Sequence, residues 1–131
     1  MTEDLKWLLY SVILAWLMLL AASLLRARAW TPAGLQVAFG NRDNLGPATP
    51  MDGRADRAAK NMLESLLFFT ALLLAAHVAG RVDARVLQGA QWFFWGRLIY
   101  APLYWAGVPY LRTAAWAVAV AGMAMIGSVL L

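Results

Sequence analysis

The chain contains four apolar segments, each long enough to cross a membrane as a helix. The hydrocarbon core of a bilayer is about 30 Å thick, which requires roughly 20 helical residues at about 1.5 Å per residue. Hydrophobic residues make up 63% of the 131 residues and charged residues only 14%, which is too apolar for an ordinary soluble domain. We therefore predict an all-α integral membrane protein with one domain of four helices, spanning about residues 5–27, 54–80, 84–106 and 109–130.

The segments between the spans carry residues typical of turns and helix ends. The segment at about residues 28–53 is rich in proline, glycine, asparagine and aspartate, and we predict that it forms one long loop. Asp52 is expected to cap the second helix, which should end at Gly80. Asp83 is expected to cap the third helix, in which Pro102 predicts a kink. Because the link between these two helices is short, they should be antiparallel neighbours.

Small residues and the single histidine are assigned to helix packing. Glycine and alanine allow helix backbones to approach closely within a membrane. Such residues are Gly89 and Gly96 on the third helix and, on the fourth, Ala115, Ala119, Gly122, Ala124 and Gly127. His77, near the end of the second helix, is predicted to serve packing or an interface. Since the chain has one histidine and no cysteine, we predict no metal site.

The distribution of basic residues predicts the orientation in the membrane. Most of the arginines lie on or beside the long loop, whereas the opposite side carries only Lys6, Arg81 and Arg85. Positively charged loops remain preferentially in the cytoplasm. We therefore predict a cytoplasmic loop and both termini on the other side. We attribute the excess of basic over acidic residues to the orientation of the protein in the membrane, and therefore predict no nucleic-acid partner.

Two ionisable residues are predicted to lie deep within spans, where they are costly and usually mark interior contacts or function. Glu64 lies roughly 15 Å into the second helix and Arg97 roughly 14 Å from the same surface in the third. The matching depths predict a buried ion pair between them. Two interpretations remain open: the pair fixes the register of the helices, or it belongs to a functional site.

Glu64 and Arg97 each share one side of their helix with other polar residues. We predict that these two polar stripes face inward. One stripe consists of Arg57, Asn61 and Glu64, and the other of Arg97, Tyr100 and Tyr104. Further cations at the loop ends of the helices are Arg26, Arg28, Lys60 and Arg112. Together these side chains predict a pocket for a small, multiply anionic ligand, beside lipid from which a lipophilic ligand could enter. For Arg26, Arg28 and Arg42 the alternative is that they extend to lipid headgroups.

The two stripes coincide with sequence motifs. The run RAAKNMLE at residues 57–64 resembles the R-A-x-x-N-x-x-E signature of MAPEG, the membrane-associated proteins in eicosanoid and glutathione metabolism. The run RLIYAPLY at residues 97–104 is similar to the arginine and tyrosine motif of the third helix in that family. The resemblance covers essentially the whole chain, and the segments at residues 41–43 and 53–55 look like a bacterial branch.

The resemblance implies a homotrimer of four-helix subunits that binds glutathione between neighbouring subunits, near the cytoplasmic side of a bacterial inner membrane, with both termini periplasmic. By motif position, the implied glutathione-site residues are Arg57, Lys60, Asn61, Glu64, Arg97, Tyr100 and Tyr104. Arginines can clamp the two carboxylates of glutathione, and a carboxylate can receive its ammonium. The resemblance also implies a thiolate-stabilising arginine, for which Arg112 and Arg28 are the candidates.

Our leading hypothesis is a membrane enzyme of the glutathione transferase or peroxidase type, acting on a lipophilic electrophile or a lipid hydroperoxide. The competing hypothesis is a noncatalytic membrane protein, either a trimeric scaffold or a lipid-binding subunit, in which Glu64 and Arg97 are purely structural. A small-solute carrier is less favoured, because the chain has neither a pair of broken helices nor inverted halves.

Overall fold

The computed structural model describes residues 1–43 and 45–131 of the chain; position 44 of the predicted loop lies outside the described residues. The described residues form helices and contain no strand. Four of the helices are long and one is short. Their bounds are α1 Glu3–Ala27, α2 Pro32–Phe39, α3 Pro50–Val78, α4 Ala84–Trp105 and α5 Pro109–Leu130.

Helix α2 corrects the prediction that residues 28–53 form only a loop. The preceding Thr31 accepts a hydrogen bond from the amide of Gly34 at 3.0 Å, and Pro32 occupies the first helical position. A threonine cap followed by proline is a strong helix start, because both residues suit the unpaired amides of a first turn. Proline in this segment therefore begins a helix instead of only interrupting one.

Helix α3 also begins earlier than predicted. Thr49, and not Asp52, is the N-cap residue. The Thr49 hydroxyl accepts from the amide of Asp52 at 3.1 Å, and the Asp52 carboxylate accepts from the amide of Thr49 at 2.9 Å. This reciprocal capping box satisfies two amides that the helix leaves unpaired. The predicted cap of α4 is confirmed, since Asp83 accepts from the amide of Val86 at 3.0 Å.

Three of the helices, α1, α3 and α5, are long and apolar enough to cross a membrane. Helix α4 is also long enough, with 22 residues, but it is not among these three because it is less apolar. Two arginines and two glutamines are the polar residues that distinguish it: Arg85, Gln88, Gln91 and Arg97. The structure therefore supports an integral membrane protein with at least three membrane-spanning helices.

Helices α4 and α5 make the most extensive helix pair, and they pack through small residues. A Cβ atom added to Gly89 would lie 2.5 Å from the carbonyl oxygen of Gly122, and one added to Gly96 would lie 2.9 Å from that of Ala115. The backbones thus touch where side chains are absent, as predicted for Gly89, Gly96, Ala115, Ala119 and Gly122. Ala124 is exposed, and a Cβ at Gly127 would meet only Leu72 at 3.9 Å, so these two residues lie off this contact.

The long helices run between two ends of the molecule. We call the end with the α1–α3 connection the loop end, and the end with both chain termini the terminal end. At the terminal end, Asp4 of α1 is buried and its carboxylate lies 2.7 Å from Nδ1 of His77 on α3. His77 therefore links α1 to α3 within the chain, in agreement with a packing role. Between the two ends, Phe69 of α3 stacks on Phe93 of α4 with ring centroids 4.0 Å apart.

Candidate functional site

Arg97 is the largest fully buried side chain of the molecule, although it is charged. Its Nη1 atom donates a hydrogen bond to Oδ1 of Asn61 at 2.8 Å, and its Nε atom donates to the sulfur of Met62 at 3.3 Å. Its guanidinium carbon lies 4.0 Å from the ring centroid of Tyr100, in a cation–π contact. The Nη2 atom is buried and has no hydrogen-bond partner among the described residues. The Nη2 group of Arg97 therefore remains an unused donor group.

Two tyrosines connect Arg97 with the surface at the loop end. The rings of Tyr100 and Tyr104 are 5.4 Å apart between centroids, and the hydroxyl of Tyr104 accepts from Nε of Arg57 at 3.3 Å. The guanidinium of Arg112 on α5 lies 4.4 Å from the centroid of the Tyr104 ring. Three helices thus contribute to one group of side chains. We call it the arginine–tyrosine cluster: Arg57, Asn61, Arg97, Tyr100, Tyr104 and Arg112.

The predicted ion pair between Glu64 and Arg97 is wrong for the single chain. Arg97 is fully buried, whereas Glu64 is exposed, and no described carboxylate lies within ion-pair distance of Arg97. The reason is the position of Glu64 around the axis of α3. Glu64 follows Met62 by two positions, which is about 200° around a helix, and Met62 points into the core. Asn61, at about 100°, sits at the edge of the core and takes the place predicted for Glu64.

The polar stripe of α3 therefore faces outward, contrary to our prediction, while the stripe of α4 faces inward as predicted. Arg57 and Glu64 are exposed on the outer side of α3. Tyr100 is buried and Tyr104 is half-buried on the inner side of α4. The two stripes meet only at their edges, through the hydrogen bonds of Asn61 and Arg57. Part of the cluster is consequently open on the surface of one chain.

The remaining predicted cations do not join the cluster. Lys60 is exposed and pairs with Asp56 at 3.0 Å, one turn earlier on α3. Arg28 ends α1 with a left-handed backbone, φ 53°, and makes no described side-chain contact with the cluster. Arg26 borders a separate small cavity between α1 and α3, about 230 Å³, together with Asp52 and Asp56. Of the two thiolate-stabilising candidates, only Arg112 lies at the cluster.

Two contacts at the site were not predicted from the sequence. Met62 accepts a hydrogen bond from Arg97, a role that an apolar residue in a span does not suggest. Arg54 donates from Nε to the carbonyl of Trp105 at 2.9 Å and so ties the start of α3 to the end of α4. The sequence does contain two signals for the second contact. An arginine lies just inside the start of α3, and the end of the antiparallel α4 leaves carbonyl groups unpaired.

The cluster carries an uncompensated positive charge. None of its three arginines has a carboxylate within 4.0 Å among the described residues. Their partners are an amide oxygen, a thioether and two phenol rings, which accept hydrogen bonds or face a cation without cancelling its charge. In surroundings of low dielectric constant, such a group favours an anionic partner. The cluster is therefore suited to bind carboxylates or to stabilise a thiolate.

The fold and this cluster define a class: a helical membrane protein with a cationic, tyrosine-lined site at one end of its long helices. A comparison with families of known proteins agrees with this class. The family model for MAPEG matches residues 7–131, and the chain belongs to the MAPEG family. No individual curated protein and no solved structure matches the chain.

Proposed function

We propose that the protein is a glutathione-dependent membrane enzyme, and that glutathione binds at the arginine–tyrosine cluster. Membership of MAPEG, a family of glutathione-related membrane proteins, gives the general class. The observation that carries the specific proposal is the cluster itself, in which Arg57, Arg97 and Arg112 have no carboxylate partner among the described residues. A ligand with two carboxylates would supply the missing charge.

Glutathione matches the arrangement of charges on and beside the cluster. Its two carboxylates can be received by guanidinium groups, for which planar, charge-assisted hydrogen bonds are favourable. Its ammonium can be received by Glu64, which is exposed one turn beyond Asn61 on the same face as Arg57. The unused Nη2 atom of Arg97 is a further donor. Lys60 is proposed as an outer contact, available because its pair with Asp56 is exposed.

A second subunit would complete the site. In a single chain the polar face of α3 points outward, which is costly if it meets acyl chains. We propose a homotrimer in which this face meets a neighbouring subunit and glutathione lies between the two. The full arrangement has α4 as a fourth span, the loop end in the cytoplasm of a bacterium, and both termini in the periplasm. The arginines along residues 26–57 support this orientation.

Arg112 is the proposed thiolate stabiliser. It is half-buried near the start of α5, and its guanidinium lies over the ring of Tyr104 within the cluster. A cation near the sulfur favours the thiolate, which is the nucleophile. In a transferase reaction the sulfur forms a bond to an electrophilic carbon, and the leaving group departs with its electron pair. In a peroxidase reaction the O–O bond of a hydroperoxide is broken to give an alcohol and water, while two glutathione molecules are oxidised to the disulfide.

Calorimetric titration of the detergent-solubilised protein with glutathione tests this function. We expect binding that weakens about tenfold or more in Glu64→Gln, because a charge-assisted contact contributes about 1.5–3 kcal/mol. Glu3→Gln is the matched control: it removes an exposed carboxylate at the terminal end and should leave binding unchanged. Absence of binding at millimolar glutathione, with the oligomer intact by light scattering, would refute the proposal.

The same variants separate the enzyme from the noncatalytic scaffold or lipid-binding subunit. If Glu64 serves assembly, Glu64→Gln should dissociate the oligomer before it affects binding. If Glu64 serves the ligand, the oligomer should persist while binding weakens. The exposed position of Glu64, without a described partner in its own chain, is compatible with both roles, so oligomeric state and affinity must be measured on the same sample.

A further inference from the structure

Helix α2 and the turn before it present an apolar surface that no other described part of the chain covers. The side chains of Trp30, Leu35 and Phe39 are 67%, 44% and 87% exposed. Leu35 and Phe39 are four residues apart and therefore lie on one side of the helix. An exposed patch of large apolar side chains marks an interaction surface.

Helix α2 is held rigidly against the end of α1. A Cβ atom at Gly34 would overlap the carbonyl oxygen of Arg28, so the two backbones are in direct contact. Thr31 reinforces the junction, because its hydroxyl donates to the Arg28 carbonyl at 2.9 Å while accepting from the Gly34 amide. The apolar side of α2 therefore has a fixed direction relative to α1.

The residues after α2 return along the outer side of α1. Arg42 donates from Nη1 to the carbonyl of Ser23 at 3.1 Å, four residues, or about 6 Å, before α1 ends. Ser23 lies on the same side of α1 as Trp16 and Leu20, which are exposed. The segment that carries the patch is thus tied, before and after α2, to the last turns of a membrane-spanning helix.

We propose that α2 lies in the plane of the membrane, with Trp30, Leu35 and Phe39 inserted at the boundary between headgroups and acyl chains. The partner is the lipid surface, because the patch follows directly after the end of a membrane-spanning helix and is flanked by Arg28 and Arg42. Arginine and tryptophan at this depth are typical of interfacial segments. This role is independent of glutathione and goes beyond the proposed function.

Site-directed spin labelling tests the proposal cleanly, because the chain contains no cysteine. A nitroxide is attached to Phe39→Cys in vesicles of phosphatidylcholine and phosphatidylglycerol, and its collisions with oxygen and with a water-soluble nickel chelate are compared. Gly46→Cys is the control, since a side chain there would meet nothing within 4 Å. We expect the oxygen-to-nickel ratio at residue 39 to be several-fold higher than at residue 46.

Two results would overturn the proposal. A ratio at residue 39 as low as that of the free nitroxide in buffer would place the patch in water. Exclusion of both reagents from residue 39, with dipolar broadening between labels, would place it at a contact between copies of the chain. Trp30→Cys provides a second label if Phe39→Cys does not assemble, and the same lipid-type ratio is expected there.

Discussion

The guanidinium of Arg97 donates to the side-chain oxygen of Asn61 across 2.8 Å and so links a buried charge on α4 to α3. A buried charge is costly unless it is hydrogen-bonded, and the Asn61 amide supplies a strong acceptor without supplying a negative charge. The pair therefore links the two helices without cancelling the positive charge of Arg97.

Replacement of Asn61 should destabilise the protein through Arg97. In Asn61→Leu the Nη1 atom loses its acceptor, and we expect the free energy of unfolding to fall by roughly 1.5–3 kcal/mol, the range for hydrogen bonds to charged groups. The measurement is thermal or denaturant unfolding in a fixed detergent. Lys60→Leu, at an exposed neighbouring position, should change it by about 0.5 kcal/mol or less. Equal effects of both substitutions would contradict the assigned role of Asn61.

The contact between α4 and α5 should not tolerate a methyl group. In Gly122→Ala the new Cβ would overlap the carbonyl of Gly89, so the helices must separate, at a cost of roughly 1–3 kcal/mol. Gly127→Ala, on the same helix, is the control, because its Cβ would meet only Leu72 at 3.9 Å. Unfolding curves of the two variants in one detergent give the comparison. A Gly122→Ala protein as stable as the Gly127→Ala protein would show that the contact is looser.

The pair formed by Asp4 and His77 should support the fold without affecting the site. Asp4→Ala removes the partner of His77 at the terminal end, and a coupling energy of about 0.5–3 kcal/mol is expected from a double-mutant cycle with His77→Ala. His77 is 16 residues beyond Asn61 on α3, about 24 Å away, so the dissociation constant of glutathione should not change. A change in that constant would show that the two ends communicate.

Arg112 and Arg28 should differ in their effect on catalysis. Arg112 lies over Tyr104, whereas Arg28 makes no described side-chain contact with the cluster. We expect Arg112→Ala to lower kcat by roughly 100-fold, as for other preorganised charge-stabilising groups, and to reduce the ultraviolet absorbance of the bound thiolate. Arg28→Ala should change neither quantity. The reverse order of effects would transfer the proposed role to Arg28.

The fold follows from the sequence where apolar length and capping chemistry agree. Asp83 caps α4 as predicted, and the glycines of α4 and α5 mark the contact that they were expected to mark. The start of α3 was missed, because Asp52 is a good capping residue at either of two positions. Only the partner residue, Thr49, decides in favour of the third helical position.

All six residues of the arginine–tyrosine cluster were among the predicted site residues, but the geometry of the cluster was not predicted. Spacing correctly placed Arg57, Asn61 and Glu64 on one side of α3, yet spacing does not say which side of a membrane helix faces the core. Both sides of α3 carry apolar residues, so the usual contrast between a polar exterior and an apolar interior is missing. Buried Ala58, Met62 and Phe69 fix the direction only once the structure is known.

The close backbone contact between α4 and α5 has a consequence for biogenesis. The segment that contains Arg97 is poorly suited to partition into lipid alone, whereas the segment after it has no charged residue beyond Arg112. The turn that joins them is short, and their glycines allow docking before any other segment is present. Helices α4 and α5 are thus suited to enter the bilayer together as a hairpin, and we expect the arginine-bearing segment to be held there only once α5 has been synthesised.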